Sequence, residues 1–318
     1  MARSQRLEAL LDGLTQVQAN PYSEEAIVHL RTTLKSRYAI AVLRAAQLVA
    51  SAELSVLLPE LTAAFDRFMI APVETDPNCL AKEAIADALY RLNAGTEEVF
   101  LRGIRHIQME PVWGGRVDTA AKLRGICALG LVRMNYPGVM TELADLLADP
   151  EVPARIAAAR AIAYSENGAG VPLLRLRARI GDDPTVVAEC LIALLKLAPT
   201  QSFPFIVSFL DAPNPQLQEL TALALGDSRL PAAFEPLRRW WCHTTEPELR
   251  QTALLAIALL RQEAALEFLL ALIAHEPPVV AKGAIAALQI YRDTPPLWQQ
   301  VEAAVLQRGD RALIEMLR

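Results

Sequence analysis

The sequence predicts an all-α fold, a right-handed α-solenoid of about eight antiparallel helix pairs with capping helices at both ends. Three observations predict it. A dipeptide of Asp, Asn or Glu followed by Pro recurs at steps of 34, 31, 32 and 30 residues between positions 149 and 276. Apolar residues follow each dipeptide at helical spacing. Apolar residues make up 53% of the chain but aromatics only 6%, so Ala and Leu carry a core suited to closely packed helices.

The N-terminal segment is predicted to be a capping helix over residues 1–19. Leu7, Leu10, Leu11 and Leu14 fall on one helical face, and charged residues fall opposite. A terminal repeat needs such a polar outer face to stay soluble. The charges also distinguish this segment from a secretory signal, so we expect a cytoplasmic protein.

Each acid–proline or amide–proline dipeptide is predicted to begin the second helix of a pair. The side-chain oxygen accepts hydrogen bonds from free amide groups at a helix start, and Pro is tolerated at the first helical position. The dipeptides are Asp76-Pro77, Asp149-Pro150, Asp183-Pro184, Asn214-Pro215, Glu246-Pro247 and Glu276-Pro277.

One interval between successive dipeptides, from Pro77 to Pro150, is much longer than the others, and Asp118 divides it into two. The excess of roughly ten residues then lies in one place, the segment 107–119, which contains Pro111, Trp113 and two glycines. We interpret this segment as an added loop between the two helices of one repeat. The preceding repeat has a lengthened turn at the equivalent position, residues 70–78, so the two extended loops should lie side by side.

A base stands six residues after the acid in four repeats, at Lys82, Arg124, Arg155 and Lys282. The segment "DPEVPARIAAARAIA" (149–163) shows the pattern most clearly. It resembles the HEAT-repeat family, including its bilin-lyase-type members and many bacterial HEAT-like proteins. The resemblance covers residues ~20–292 and implies stacked helix pairs in which acids and bases alternate in a ladder. The residues that it assigns to this ladder are Asp118, Arg124, Asp149 and Arg155.

The C-terminal segment 293–318 is predicted to supply one or two closing helices. We therefore expect a single solenoid over residues 1–318, with helix-pair repeats over 20–292 between the two caps. The acid–base spacing is lost at Glu189, Leu220 and Thr252, which leaves the regularity of the curvature open.

The two extended loops are the candidate binding edge for another macromolecule or an anionic ligand, because insertions on one face of a repeat array often form its binding face. A rigid aromatic beside an Arg has the composition of a binding hot spot. The alternative is that the loop folds back on its own repeat, with Trp113 filling the seam between helices and acids neutralising Arg116 or Arg124. The candidate partner-binding residues are Glu74, Asp76, Arg105, Glu110, Trp113, Arg116 and Asp118.

No pattern in the sequence points to a metal or a cofactor. His106 and Glu110 are four residues apart, but Pro111 ends any helix there and no third ligand follows. The cysteines lie far apart without metal-ligand spacing, and Cys79, Cys127 and Cys190 are expected to be buried thiols. No nucleophile or nucleotide-binding motif is found, which favours a protein that is not an enzyme.

The sequence favours a non-catalytic scaffold that presents its helical-repeat surface and loop edge to a protein partner. Two alternatives remain. A bilin-lyase-like attachment of a chromophore follows from the family resemblance alone. Nucleic-acid or DNA-repair binding would use "RRWWCH" (238–243), in which one Trp is expected in the core and one at the rim. The net charge of −5 argues against a nucleic-acid partner. No uncharged run is long enough to span a membrane.

Overall fold

The computed structural model describes residues 2–93 and 97–317, and for residues 2–4 it describes the backbone only. Residues 1, 94–96 and 318, which fall within the predicted caps and repeats, lie outside the described residues. The chain divides into two compact units, Met1–Gly170 and Val171–Arg318. The prediction of an all-α fold is confirmed, since helices follow one another through both units.

The first unit holds ten α-helices and one short hairpin in the described residues. Their bounds are α1 Ala2–Ala19, α2 Glu24–Leu34, α3 Ala39–Ser51, α4 Leu58–Phe68, α5 Pro72–Thr75, α6 Leu80–Arg91, α7 Glu97–Ile104, β1 Met109–Val112, β2 Gly115–Asp118, α8 Ala121–Arg133, α9 Val139–Leu147 and α10 Val152–Tyr164.

Antiparallel pairs account for the packing of this unit. Helices α2, α4, α7 and α9 pack against α3, α6, α8 and α10, and the latter four also pack on one another in series. Helix α1 packs on α2 and α3, as expected of a cap. Buried Ala, Leu and Phe side chains such as Ala45, Phe65 and Leu123 fill the seams between pairs, and each buried Leu stabilises the unit by about 1.5–3 kcal/mol.

The second unit continues the same pattern. Helices α12, α14, α16 and α18 pack on one another in series, and α13, α15 and α17 pack against them. The bounds are α11 Gly170–Ile180, α12 Pro184–Leu197, α13 Pro199–Val207, α14 Pro215–Asp227, α15 Phe234–His243, α16 Pro247–Leu259, α17 Glu263–His275, α18 Pro278–Leu288, α19 Pro295–Arg308 and α20 Arg311–Ile314. Helix α19 packs on α17 and α20 on α18, so residues 293–317 cover the last pair.

Three of the proline-containing dipeptides begin α-helices at their Pro, as the sequence predicts, at Pro184, Pro215 and Pro247, whereas α6, α10 and α18 begin one to three residues after theirs. Asp183 accepts the Thr185 N–H at 2.9 Å, and Asn214 accepts those of Gln216 and Leu217 at 2.9 and 3.3 Å. These carboxylate and amide oxygens satisfy amide groups that have no partner inside the helix. Glu246 and Pro277 stand at the same place without a side-chain cap.

Of two expectations about single residues, one needs correction and one is confirmed. Trp240 and Trp241 are both buried, whereas one was expected at the rim. Trp241 lies edge-on to Phe268 with ring centroids 5.6 Å apart, which explains its burial. Cys79, Cys127 and Cys190 are buried free thiols, as expected.

Candidate functional site

The segment predicted as an added loop is a two-stranded antiparallel β-hairpin between α7 and α8. Met109 pairs with Asp118, Glu110 with Val117, Pro111 with Arg116 and Val112 with Gly115. Trp113 and Gly114 form the two-residue turn, and Gly114 adopts φ of 92°, which only Gly takes without strain. The hairpin is an insertion within one helix pair, as the repeat spacing predicts.

Glu110 anchors the hairpin to the preceding repeat. One of its carboxylate oxygens, Oε1, accepts three hydrogen bonds, from the Asn78 N–H at 2.6 Å, the Gln108 side-chain amide at 2.7 Å and the Thr119 hydroxyl at 2.8 Å. Gln108 also donates to the Asp76 carbonyl at 2.9 Å. The two extended loops therefore meet, as the repeat geometry predicts.

Asp118 closes the other strand of the hairpin. Its Oδ1 accepts the backbone N–H groups of Gln108 and Ala120, both at 3.0 Å, and its Oδ2 accepts Arg124 Nη1 at 2.7 Å. Arg124 also donates from Nη1 to the His106 carbonyl at 2.9 Å. The base of the hairpin is thus joined to the first turn of α8.

The acid–base ladder is present in part. Arg124 bridges from Asp118 to Asp149 of the next repeat, with Nη2 donating to Asp149 Oδ1 at 2.9 Å. Arg155 donates to the backbone carbonyls of Asp149 and Pro150, both at 2.7 Å. Asp118, Arg124 and Asp149 therefore form a continuous ladder. The Arg155 side chain contacts the Asp149-Pro150 dipeptide only through the backbone carbonyls of that dipeptide.

Asp76 and Lys82 form a fully buried ion pair beneath the hairpin. Lys82 Nζ lies 2.9 Å from Asp76 Oδ2, and neither side chain is exposed to solvent. The Asp76 carboxylate also accepts the N–H groups of Ala81 and Lys82, at 2.8 and 3.0 Å. Asp76 therefore caps α6 across a short turn in which Asn78 and Cys79 both have positive φ. A charge pair at this depth persists only because each charge has such partners.

The ionisation of the anchoring groups follows from this geometry. Burial alone would raise the pKa of Glu110, but hydrogen bonds from Gln108, Thr119 and the Asn78 N–H hold it below its ordinary value of 4.5. The pKa of Asp118 is likewise lowered, because two backbone N–H groups and Arg124 outweigh burial. Burial lowers the pKa of His106. The network therefore holds two ionised carboxylates at neutral pH.

The outer part of the hairpin is apolar and exposed. Trp113 is fully exposed, and Ile107, Met109, Val112 and Val117 are also among the exposed large apolar side chains. Arg116 is exposed, with Nη2 donating to the Met109 carbonyl at 2.8 Å. Trp113 does not fill the seam between helices, so the fold-back alternative does not describe this residue.

The basic residues near the hairpin carry carboxylate partners. Arg102 Nη1 lies 2.5 Å from Asp66 Oδ1, and Arg105 forms a bidentate pair with Glu142. These two arginines line an open groove of about 620 Å³ along α7, at the foot of the hairpin. The groove is lined by Met69, Glu97, Glu98, Leu101, Arg102, Arg105, His106 and Ile107. Its positive charge is therefore largely neutralised by ion pairs.

The structure separates the candidate residues into two sets. Asp76, Glu110 and Asp118 are buried in the base of the hairpin, where they hold it in place. Trp113, Arg116 and Glu74 are exposed, Arg116 in the hairpin and Glu74 in α5, and Arg105 is exposed but paired. Only the second set has side-chain surface available to a partner.

The sequence contains a signal for the hairpin besides the repeat spacing. The β-branched residues Val112 and Val117 stand on either side of Trp113 and two glycines, as is typical of short strands joined by a tight turn. Thr119 is not among the predicted site residues, because its role is visible only through its contact with Glu110.

Residues 2–93 and 97–317 contain no group of three or more His, Cys, Asp or Glu side chains placed to hold a metal ion. In the part of the chain that the structure covers, no helix combines the length and apolar character that crossing a membrane requires.

Comparison with known families identifies the repeats. Residues 203–289 match the family described as HEAT repeats. No curated protein matches the chain.

Two solved structures are similar at low identity. One is the complex of CpcE and CpcF of phycocyanin lyase from Nostoc sp. PCC7120, with a TM-score of 0.39 at 18% identity, covering 78% of this chain and 93% of that chain. The other is human deoxyhypusine hydroxylase in complex with glycerol, with a TM-score of 0.30 at 15% identity, covering 90% and 91%. The low TM-scores and identities show that both similarities are distant.

Proposed function

Because this chain is a HEAT-repeat protein, we propose that it is a non-catalytic scaffold whose inserted β-hairpin binds a protein partner. The observation that carries the proposal is the fully exposed Trp113 on a hairpin whose base is fixed by buried hydrogen bonds. A large aromatic side chain gains most from burial in a partner's pocket. A rigid support reduces the entropy that is lost on binding.

The hairpin surface has the composition of a protein-binding site. Exposed Val112, Trp113 and Val117 form an apolar group, and Arg116 supplies a guanidinium held in place by the Met109 carbonyl. Aromatic residues and Arg are enriched where binding energy concentrates. The partner is therefore a protein with an apolar pocket and a carboxylate at its rim. Glu74 of α5 offers a negative charge on the adjacent segment.

Charge pairing in the first unit favours a protein over a free anion as the ligand. Arg102 and Arg105, the bases nearest the hairpin foot, are engaged by Asp66 and Glu142. A small anion would have to displace these carboxylates to bind there. An apolar protein surface needs no such exchange.

Replacing Trp113 tests the proposal. Trp113→Ala should lower the affinity for the partner by about 30-fold, the loss expected of an interface hot spot of about 2 kcal/mol. Its free energy of unfolding should change by less than about 0.5 kcal/mol, because the side chain contacts solvent only. The measurement is affinity capture from cells that make this protein, followed by binding and urea-unfolding curves with the purified partner.

The matched control is Tyr22→Ala, which removes another exposed aromatic outside the hairpin. It should retain the partner at full stoichiometry. Retention of the partner by Trp113→Ala, or a large loss of stability in that variant, would contradict the proposed role of the hairpin.

A further inference from the structure

A second apolar surface lies in the second unit, between α16 and α18. It is an open groove of about 520 Å³, within the range of about 300–1,000 Å³ found for ligand sites. We call it the α16–α18 groove. Its lining residues are Trp241, Pro247, Arg250, Gln251, Leu254, Val279, Val280, Lys282, Gly283, Ala286 and Met316.

One end of the groove is held in a fixed shape. The Arg250 guanidinium stacks over the Trp241 ring at 4.5 Å and donates from Nη1 to the carbonyls of Trp241 and Thr244, both at 3.1 Å. The same ring packs edge-on against Phe268. This end is therefore formed before any ligand arrives, and the guanidinium that borders it has a fixed position.

The two helices approach closely at the floor of the groove. A Cβ added at Gly283 would lie 2.8 Å from Gln251 Oε1 and 3.1 Å from Leu254 Cδ1, so the Gln251 side chain would have to shift to accommodate it. Gln251 also donates to the Gly283 carbonyl at 3.1 Å. Val279 stands at the rim with 82% of its surface exposed.

The charge of the groove is one-sided. The eleven lining residues include two bases, Arg250 and Lys282, and no carboxylate. The chain as a whole has the opposite balance, with 36 acids and 31 bases. Lys282 is exposed, and both hydrogen bonds of Arg250 use Nη1, on one side of its planar group. A ligand with carboxylates beside an apolar stripe matches this arrangement.

The walls also select the backbone form of the ligand. Both walls are helices, whose backbone groups are bonded internally, so no strand edge is available to an extended peptide. A helical ligand satisfies its own backbone and needs only side-chain contacts. We propose that the α16–α18 groove binds an acidic amphipathic helix of a partner protein, whose apolar face covers Leu254 and Val279 and whose carboxylates pair with Lys282 and Arg250.

Two synthetic peptides test this proposal with the full chain. The first is a fluorescein-labelled helix of about five turns, with Leu at i, i+3, i+4 and i+7 and Glu elsewhere. The second has Lys in place of every Glu. In fluorescence anisotropy titrations at low salt, the acidic peptide should bind about tenfold more tightly than the basic one, and added NaCl should weaken it.

Charge reversal at the rim locates the site. Lys282→Glu should weaken the acidic peptide by about tenfold and strengthen the basic one. Lys35→Glu makes the same charge change at an exposed position of the first unit and should leave both affinities nearly unchanged. Trp113→Ala should also leave them unchanged, so a failure here and a failure of the hairpin proposal are distinguishable.

Several results would overturn the proposal. These are absence of binding by the acidic peptide, equal binding of the two peptides, and an equal effect of Lys282→Glu and Lys35→Glu. Sedimentation velocity tests whether a second copy of this chain occupies the groove. A dimer that Lys282→Glu or Val279→Ser dissociates would assign the groove to self-association instead.

Discussion

At the scale of single residues, the buried charges of the first unit matter most for stability. Lys82 has no exposed surface, and its ammonium is paired with Asp76 and lies 3.4 Å from the Phe68 carbonyl. Removing one member of such a pair leaves the other charge buried without compensation. The sequence shows these two residues only as an acid and a base six positions apart, which could equally be a solvated surface pair.

Lys82→Met should destabilise the first unit by about 3–5 kcal/mol, because the Asp76 carboxylate loses its buried counter-ion. The measurement is the free energy of unfolding from urea titration. Lys122→Met is the matched control. Its Nζ lies 3.2 Å from Glu83 and its side chain is 74% exposed, so the loss should stay under about 1 kcal/mol. Equal losses of stability in the two variants would show that burial does not determine how much these ion pairs contribute.

At the scale of elements, the hairpin is an isolated two-stranded ribbon, which is marginally stable in water by itself. Its order depends on the anchors at its base, Glu110 and Asp118. Both carboxylates have a lowered pKa in the folded chain. A lowered folded pKa means that the unfolded state binds protons more readily, so the stabilisation is present above the ordinary pKa and is lost as the pH falls through the folded value.

Glu110→Gln should therefore have a pH-dependent cost. At neutral pH the variant should be less stable than the wild type by about 1.5–3 kcal/mol, the range for hydrogen bonds to a charged group. The difference should shrink as the pH falls below the ordinary Glu110 value of 4.5. Urea titrations of both proteins across the acid range measure it. Glu74→Gln, which alters an exposed carboxylate, should show no comparable slope.

Helix packing in the second unit depends on a glycine of α14. A Cβ at Gly226 would lie 2.4 Å from the Ala256 carbonyl oxygen and 2.9 Å from its Cα. The obstacle is backbone, so α14 and α16 would have to separate. Gly226→Ala should destabilise the unit by about 1–3 kcal/mol, although Ala favours the helix by about 1 kcal/mol.

The control for this substitution is Gly168→Ala, since no atom lies within 4 Å of a Cβ at Gly168. Thermal unfolding should separate the two variants, with a lower Tm for Gly226→Ala and little change for Gly168→Ala. A raised Tm for Gly226→Ala would mean that the helices part at little cost and that helix propensity dominates.

At the scale of the whole molecule, stability in repeat arrays is a sum of repeat and nearest-neighbour contributions. A local loss should therefore fade along the stack. In Gly226→Ala, hydrogen exchange should quicken most in α14 and α16, less in α12 and α18, and not in α3. Mass spectrometry of peptic peptides measures this gradient. Uniform loss of protection over the whole chain would indicate global two-state unfolding instead.

The prediction of one array over residues 1–318 belongs to this scale and stays a prediction. The same exchange experiment bears on it, because a continuous array would pass part of the loss across Gly170 to the nearest helices. Two separate foldons would show an abrupt change at that residue.

The sequence by itself determined where α12, α14 and α16 begin and which faces they bury. These are local properties: Asp183 and Asn214 cap their own helices within three residues, and apolar side chains repeat at helical spacing. The sequence also located the inserted segment, because the extra residues lengthen the interval between two otherwise regularly spaced helix starts. It also predicted burial of Cys79, Cys127 and Cys190, which fall on those apolar faces.

Only the tertiary structure decided which candidate residues hold the hairpin and which face solvent. Glu110 bonds to Asn78 across 32 positions of the chain, and Arg124 reaches Asp149 across 25. Such contacts depend on how neighbouring repeats stack, and the residue types alone do not encode them. The sequence left open whether Trp113 packs between the helices or is exposed to solvent. The choice followed from the pairing of the two strands, which places Trp113 in the turn, at the end of the hairpin opposite the anchors Glu110 and Asp118.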